Sequence, residues 1–287
     1  MTDFPRTMVG GVSLPRLIIG SNWFLGYSHT SRAQDKLIVE YQSRDRIAEV
    51  MSVFLRHGID AVMGPVSQLL VDAAHDAEQR VGRKMILILT PAFNLLPRTD
   101  NKERTLWDSE PEDIFDLCAK MGATFCMPHQ CVTDALVDKR AGIIRDIDRY
   151  TAMIRERGMI PGLSTHMPET VVYADRQKAD VETYIQIYNA AGFLMQVEAD
   201  WVMRIIHQAE KPVMTIKPLA AGRLLPAVGL AFVWSTIREQ DMVTIGCLTP
   251  YEAEEVIELS LDFINGRQPQ NELQRTRSKR SLDRNPA

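Results

Sequence analysis

The chain has 287 residues, of which 45% are hydrophobic and 24% are charged, an ordinary composition for a globular protein. A net charge of −4 and a pI near 5.9 give no electrostatic reason to expect a nucleic acid or a membrane surface as partner. The opening residues lack the apolar core of a signal peptide, and no apolar run is long enough to span a bilayer. With four cysteines that fit reduced thiols, these features predict a cytoplasmic protein.

Short apolar runs, each ending in one or two polar residues, recur about every 30 residues along the chain. Continuous apolar runs of this length are typical of parallel strands that are buried on both faces. They predict eight strands, at residues 17–20, 60–64, 85–89, 123–127, 159–163, 182–187, 213–216 and 242–245.

Helical periodicity fills most of the intervals between these strands. We predict a helix at 44–57 with Ser43 as its cap, and another that is opened by the capping box Ser109-x-x-Glu112 and ends near residue 121. The other predicted helices cover residues 66–81, 140–157, 200–210 and 250–265. The longest loop, 92–107, is predicted to carry substrate specificity and to act as a lid.

Eight strands that alternate with helices predict a (β/α)8 TIM barrel, formed as a single domain by residues 1–266. A doubly wound open sheet is the weaker alternative, because no Gly-x-Gly-x-x-Gly motif follows the first strand. Residues 267–287 contain six basic and two acidic side chains and little to bury, which predicts a mobile basic tail; an RNA-binding tail is the alternative. The sequence favours no particular oligomeric state.

In such a barrel the loops after the strands form one face, and that face holds the active site. His129 and His166 end the adjacent fourth and fifth strands, and Lys217 ends the seventh. We predict all three as catalytic, because histidine transfers protons near neutral pH and a desolvated lysine has a lowered pKa. The structural alternatives are histidines that bond to backbone and a lysine in a salt bridge. His29 is among the other polar residues expected on this face.

One alternative places a divalent metal between His129 and His166, but two histidines with no evident carboxylate leave its ligand set incomplete. Arg223 follows Gly222 in the loop after the seventh strand, which in many barrels is the region that binds phosphate. The alternative for Arg223 is a solvated loop charge.

Five further segments carry recognisable motifs: VGGVSLPRLIIGSN (9–22), GLSTH (162–166), QIYN (186–189), KPLAAGRL (217–224) and IGCLTPYEAEE (245–255). Together these segments resemble the corresponding parts of aldo-keto reductases. The resemblance implies a (β/α)8 barrel, NADP or NAD bound without a Rossmann domain, and hydride transfer to a carbonyl group. It also implies a proton-donating tyrosine supported by an aspartate, a lysine and a histidine.

The chain departs from that pattern at most of the catalytic positions. The stretch that carries the aspartate and the tyrosine in the family falls on residues 63–68, which contain neither. The family's lysine falls at Thr90 or Pro91, and only the histidine has a match, His129. Since a carbonyl oxygen needs a proton as its carbon accepts hydride, the usual mechanism lacks its donor.

The resemblance also suggests which residues hold the cofactor. Ser164 matches a residue that contacts the nicotinamide amide, and Thr249 lies where the family binds a phosphate after the eighth strand. The full predicted set is Ser21, Ser164, Lys217, Arg223 and Thr249.

Three hypotheses follow for a barrel whose partner is a small molecule. The first is a non-standard NAD(P)-linked oxidoreductase that acts on a small carbonyl compound. The second is a lyase or aldolase, with a Schiff base on Lys217 or a metal at His129 and His166. The third is a non-catalytic ligand-binding barrel.

Overall fold

A computed structural model describes residues 3–95, 109–269 and 279. The described chain opens with an antiparallel hairpin, β1 (Arg6–Val9) and β2 (Val12–Pro15). Val9 and Leu14 of this hairpin belong to the same apolar cluster as Ile18, Met214 and Met242, which lie on barrel strands. The hairpin therefore covers the inside of the barrel at the end opposite the predicted active face.

The strands that follow the hairpin are β3 (Leu17–Gly20), β4 (Ala61–Gly64), β5 (Ile86–Leu89), β6 (Phe125–Cys126), β7 (Val137–Asp138), β8 (Ile143–Ile144), β9 (Ile160–Pro161), β10 (Leu163–Thr165), β11 (Tyr184–Ile187), β12 (Val213–Ile216) and β13 (Met242–Ile245). The helices are α1 (Asn22–Leu25), α2 (Arg32–Tyr41), α3 (Arg44–Arg56), α4 (Gln68–Val81), α5 (Pro111–Lys120), α6 (Gln130–Leu136), α7 (Ile147–Glu156), α8 (Pro168–Gln177), α9 (Ala199–Gln208), α10 (Pro226–Thr236) and α11 (Pro250–Ile264).

Nine parallel strands form the main sheet in the order β10-β11-β12-β13-β3-β4-β5-β6-β9. The two ends of this order, β9 and β10, are consecutive pieces of the chain that are separated only by Gly162. β9 pairs with β6 while β10 pairs with β11, so the predicted fifth strand closes the barrel by pairing with one neighbour through each half. The prediction of a (β/α)8 barrel is confirmed.

Two apolar layers hold the barrel together. A smaller cluster fills the inside of the sheet, and a larger one lies between the sheet and the surrounding helices. This arrangement explains why the strands read as continuous apolar runs, because both faces of each strand are covered. Among the described helices, none combines the length and the apolar character needed to cross a bilayer.

Several predicted helix boundaries are confirmed. The helix at 44–57 is α3, and the Ser43 side chain accepts a hydrogen bond from the Arg46 backbone N–H, as expected of a cap. The helix predicted at 66–81 begins two residues later as α4, after Ser67, and the helices predicted at 200–210 and 250–265 are α9 and α11 within two residues at each end.

Other local predictions were wrong. Residues 140–157 are not one helix, because the short hairpin β7–β8 turns at Gly142, which has φ +65°, and α7 begins only at Ile147. The capping box at Ser109 does not form; α5 begins at Pro111 after Glu110, with no side-chain cap. Helices α1, α2, α6, α8 and α10 were not predicted. Most of the predicted lid, 92–107, and of the predicted tail, 267–287, lies outside the described residues.

Candidate functional site

A cavity of about 630 Å³ opens at the carboxyl ends of the barrel strands. Five of the predicted site residues line it: Ser21, His129, Ser164, His166 and Lys217. The loop after the first strand contributes Trp23, Tyr27 and His29 to the same wall. The topology therefore brings together three histidines and one lysine that come from four different strand ends.

Lys217 follows β12 directly and points its amine into this cavity, where it is only partly exposed. Its backbone has φ +61°, a left-handed conformation that side chains other than glycine seldom adopt and that often marks functional sites. Burial lowers the pKa of Lys217 to about 8. No carboxylate among the described residues forms an ion pair with this amine.

The Lys217 amine contacts His29, whose Nε2 lies 3.2 Å from Nζ. The other ring nitrogen, Nδ1, is 2.9 Å from the carbonyl oxygen of Tyr27, which can only accept. In the neutral ring the proton is therefore on Nδ1, and Nε2 accepts a hydrogen bond from the lysine. Desolvation, followed by the charge of Lys217, lowers the pKa of His29.

His129 stands at the N-terminus of α6 and acts as its cap. Its Nδ1 accepts a hydrogen bond from the Cys131 backbone N–H at 3.4 Å and lies 3.1 Å from the Cys131 thiol. With Nδ1 occupied as an acceptor, the neutral ring carries its proton on Nε2. Desolvation and, next, the charge of Lys217 lower the pKa of this histidine. His129 is consequently a neutral hydrogen-bond donor at physiological pH.

His166 is held through its backbone by a carboxylate from α6. The His166 N–H donates to Asp134 Oδ2 at 3.0 Å, and the Thr165 hydroxyl donates to Asp134 Oδ1. Thr165 Oγ1 also accepts from the Met167 N–H at 2.9 Å, which fixes the turn between β10 and α8. Desolvation raises the pKa of Asp134, although these donors act against the shift.

Of the three histidines in the cavity, His166 has the environment that is least favourable for a positively charged ring. Desolvation, and then the charges of Lys217, His129 and His29, lower the pKa of His166 to about 4. The ring is therefore neutral at pH 7, and it can accept or donate a hydrogen bond but cannot serve as a stored acid.

The floor of the cavity depends on close packing around Ser21 and Trp23. A side chain at Gly64 would collide with the Ser21 hydroxyl, and one at Gly246 would lie 2.8 Å from Cδ1 of Trp23. Both glycines line the cavity, so their lack of a side chain makes room for a hydroxyl and for an aromatic ring.

Two of the predicted cofactor residues do not line the cavity. The Arg223 guanidinium stacks over the ring of Phe193 at 4.0 Å and donates to the Ala220 carbonyl at 3.0 Å. The Thr249 hydroxyl accepts from the Glu252 N–H at 3.2 Å and caps α11. Their roles as cofactor ligands stay predictions, with both side chains already engaged within the protein.

Sequence reasoning missed other residues of the wall. Tyr27 was not singled out, and His29 was placed on the correct face without any sign that it meets Lys217. Glu252 and Glu255, on the first turns of α11, also line the cavity. The position of both acids one helical turn apart after the eighth strand was the available signal. Among the described residues, no group of three or more potential ligands is arranged to hold a metal ion.

Comparison with known proteins identifies the fold. No protein-family model and no curated protein matches the sequence. A protein from Pseudomonas aeruginosa that is predicted to be an aldo-keto reductase has a similar structure, with a TM-score of 0.62 at 13% identity over 91% of this chain and 97% of that one. A glycerol dehydrogenase from Gluconobacter oxydans matches with a TM-score of 0.56 at 12% identity, over 94% and 98% of the two chains.

An aldo/keto reductase from Brucella melitensis gives a TM-score of 0.56 at 13% identity, over 91% of this chain and 94% of that one. At such low identities the likeness concerns the fold. The chain is a (β/α)8 barrel similar in architecture to the aldo-keto reductases, and it is divergent in sequence.

The residues of the cavity fit a nicotinamide nucleotide in part. The Ser21 and Ser164 hydroxyls lie at the floor, where they can bond to an amide, and Lys217 can bind an anionic group. The α11 end carries the carboxylates Glu252 and Glu255, and none of the residues that line the cavity there is basic. This end suits hydroxyl groups and disfavours a phosphate.

Proposed function

We propose that the protein is a NAD(P)-linked oxidoreductase that reduces a small carbonyl compound in this cavity. The observation that carries the proposal is the position of His129 in the wall of the cavity with Nδ1 engaged by Cys131, from which we infer a neutral ring with its proton on Nε2. A donor of this kind, at the carboxyl end of a barrel strand, is suited to hold the oxygen of a carbonyl group. The likeness of the fold to known reductases supports the same conclusion.

Reduction of a carbonyl group adds a hydride to carbon and a proton to oxygen. A bound reduced nicotinamide would supply the hydride. His129 orients the oxygen, and the Lys217 ammonium is the proton source, since a pKa of about 8 leaves it mostly protonated at pH 7. His29 accepts from this amine and keeps it in place. Lys217 thus takes over the role of the tyrosine that the resemblance to aldo-keto reductases would place at residues 63–68, where this chain has none.

The charges at the α11 end bear on the choice of nucleotide. With the hydride donor beside His129, the other half of a dinucleotide must extend along the cavity towards Glu252 and Glu255. Carboxylates accept hydrogen bonds from ribose hydroxyls and repel a 2′-phosphate. We therefore expect NADH to bind about tenfold more tightly than NADPH, a difference of about 1.4 kcal/mol.

Titration with NADH and NADPH, followed by thermal shift and nicotinamide fluorescence, tests this function. A saturating nucleotide should stabilise the protein by about 3 kcal/mol at a hundred times its Kd, which raises Tm by several degrees. Ser164→Val should weaken binding, whereas Ser235→Ala, on the exposed side of α10, should not. Glu255→Gln should reduce the ratio by which NADH binds more tightly than NADPH.

Turnover is then assayed by nicotinamide absorbance with a panel of small aldehydes and ketones. His129→Gln should lower kcat by at least about a hundredfold and leave the Kd of the nucleotide unchanged. Absence of any thermal shift at millimolar nucleotide would overturn the proposal.

A further inference from the structure

Lys217 differs from an ordinary buried lysine because no carboxylate in the part of the chain that the structure describes is paired with it. Ammonium groups that leave water are normally paired with a carboxylate. Among the described residues, the side chain that contacts Nζ is His29, whose Nε2 is a neutral acceptor at 3.2 Å, and no carboxylate forms an ion pair with the amine. The amine also lines an open cavity, where a small molecule can reach it.

Three neutral imidazoles share the cavity with this amine, and that of His29 contacts it. His129, His166 and His29 all line the same cavity, and the charge of Lys217 contributes to the lowered pKa of each. Burial alone lowers the pKa of Lys217 to about 8, so that roughly a tenth of the amine is unprotonated at pH 7. The free amine is the nucleophilic form of lysine. His29 Nε2 is placed to accept the proton that must first leave the ammonium.

We propose that Lys217 forms a covalent imine with a small aldehyde or ketone that enters the cavity. The free amine adds to the carbonyl carbon, so that a C–N bond forms and the π electron pair of the C–O bond moves to the oxygen. The neighbouring imidazoles carry both amine protons to that oxygen, which leaves as one water molecule. The product is a C=N bond to Nζ, and the step needs neither an oxidant nor a reductant.

The cavity fits this class of ligand. Its volume of about 630 Å³ accommodates a compound of a few carbons, and Ser21, Thr90 and Ser164 supply hydroxyls around an otherwise largely apolar wall. The inference goes beyond the reductase proposal, because imine formation requires no nucleotide. Either activity can therefore fail in experiment while the other holds.

Reductive trapping tests the inference directly. The purified protein is incubated at pH 7, without nucleotide, with glycolaldehyde or pyruvate and sodium cyanoborohydride. Reduction of the imine leaves an adduct whose mass equals that of the probe minus one oxygen atom. Peptide mapping should place this adduct on Lys217 at a rate at least tenfold above that of Lys36, which is exposed on α2.

Two variants sharpen the result. Lys217→Arg keeps the positive charge but cannot form an imine, and it should lose the fast adduct, whereas the matched control Lys36→Arg should keep it. Labelling of Lys217 no faster than that of Lys36, with both probes, would overturn the inference. The wild-type peptide map decides the question even where a variant folds poorly. Nucleotide binding is measured in a separate titration, so failure of the imine proposal can be told apart from failure of the reductase proposal.

Discussion

At the scale of single residues, burial and the charge of Lys217 together determine the protonation of the three histidines in the cavity. Desolvation is the largest cause of the lowered pKa of His29, His129 and His166, and the positive charge of Lys217 is the second cause for each. The three imidazoles are therefore mostly neutral at pH 7, and the lysine carries the positive charge of the group. This division separates a proton source from neutral hydrogen-bonding partners, as proton transfer to a bound carbonyl requires.

The pKa of His166 provides a test at this scale. A histidine Cε1–H titration by NMR, assigned with His166→Gln, should give a pKa of about 4 in place of the ordinary 6.5. Lys217→Met should raise this pKa, because it removes a like charge. A pKa near 6.5 in the wild type would mean that water fills the site and that the imidazole is not desolvated.

The same shift has a consequence for stability. Between pH 6.5 and pH 4 the unfolded chain binds a proton at His166 that the folded protein does not bind. The free energy of unfolding therefore falls as the pH is lowered through this window, by at most about 3 kcal/mol from this residue. His166→Gln lacks that contribution and should be less sensitive to acid by the same amount.

At the scale of elements, the sequence was sufficient for the eight barrel strands, but it did not reveal the β7–β8 hairpin and was only partly sufficient for the helices. The buried parallel strands gave continuous apolar runs, whatever their partners. α10, however, is apolar on nearly every side, so it lacks the alternation that reveals a surface helix. α8 begins at Pro168 without a side-chain cap. The cap of α2, where Ser31 accepts from the Gln34 N–H, was visible in the sequence and was overlooked.

For the site, the sequence was sufficient to predict which strand ends meet but not which side chains touch. Strand order alone places His129, His166 and Lys217 around one cavity, because parallel strands end on one face. The contact between His29 and Lys217 depends on two left-handed residues in separate loops, which no periodicity encodes. The directions of Arg223 and Thr249 depend on Phe193 and on the cap of α11, and a resemblance of motifs does not specify them.

Gly162, between β9 and β10, has a role that can be tested at the scale of elements. An added Cβ would lie 2.6 Å from the end of the Met127 side chain and 2.9 Å from the carbonyl oxygen of Thr183, which accepts from the Leu163 N–H. Because this backbone cannot move without disturbing the closure of the barrel, Gly162→Ala should destabilise the protein by about 2–3 kcal/mol in urea denaturation.

A matched control separates crowding from backbone strain. Gly82, at the end of α4, has φ +76° with open space around the missing Cβ. Gly82→Ala should lower the free energy of unfolding by only about 1 kcal/mol. If the two variants were equally stable, crowding at Gly162 would not be important for the barrel.

At the scale of the whole molecule, the first and last strands of the barrel must pair, and β3 does pair with β13. Asp241, immediately before β13, is fully buried, and its carboxylate accepts from the Val213 N–H at 2.9 Å and from the Arg238 guanidinium at 2.7 Å. Arg16, just before β3, donates to the Asp241 carbonyl at 3.0 Å. One charged network therefore joins the beginnings of β3, β12 and β13.

This network should contribute far more to the free energy of unfolding than the ion pairs on the surface. Asp241→Asn leaves the Arg238 cation partly buried without a counter-charge, and we expect a loss of about 3–5 kcal/mol in the free energy of unfolding. Asp45→Asn breaks the surface ion pair between Arg80 and Asp45, which is 81% exposed, and should lower the free energy of unfolding by less than about 1 kcal/mol. Urea denaturation, with an unchanged m-value, measures both. A loss below 1 kcal/mol for Asp241→Asn would show that strand pairing alone closes the barrel. The network lies at the end of the barrel opposite the cavity, so the folded variant should bind ligands as the wild type does.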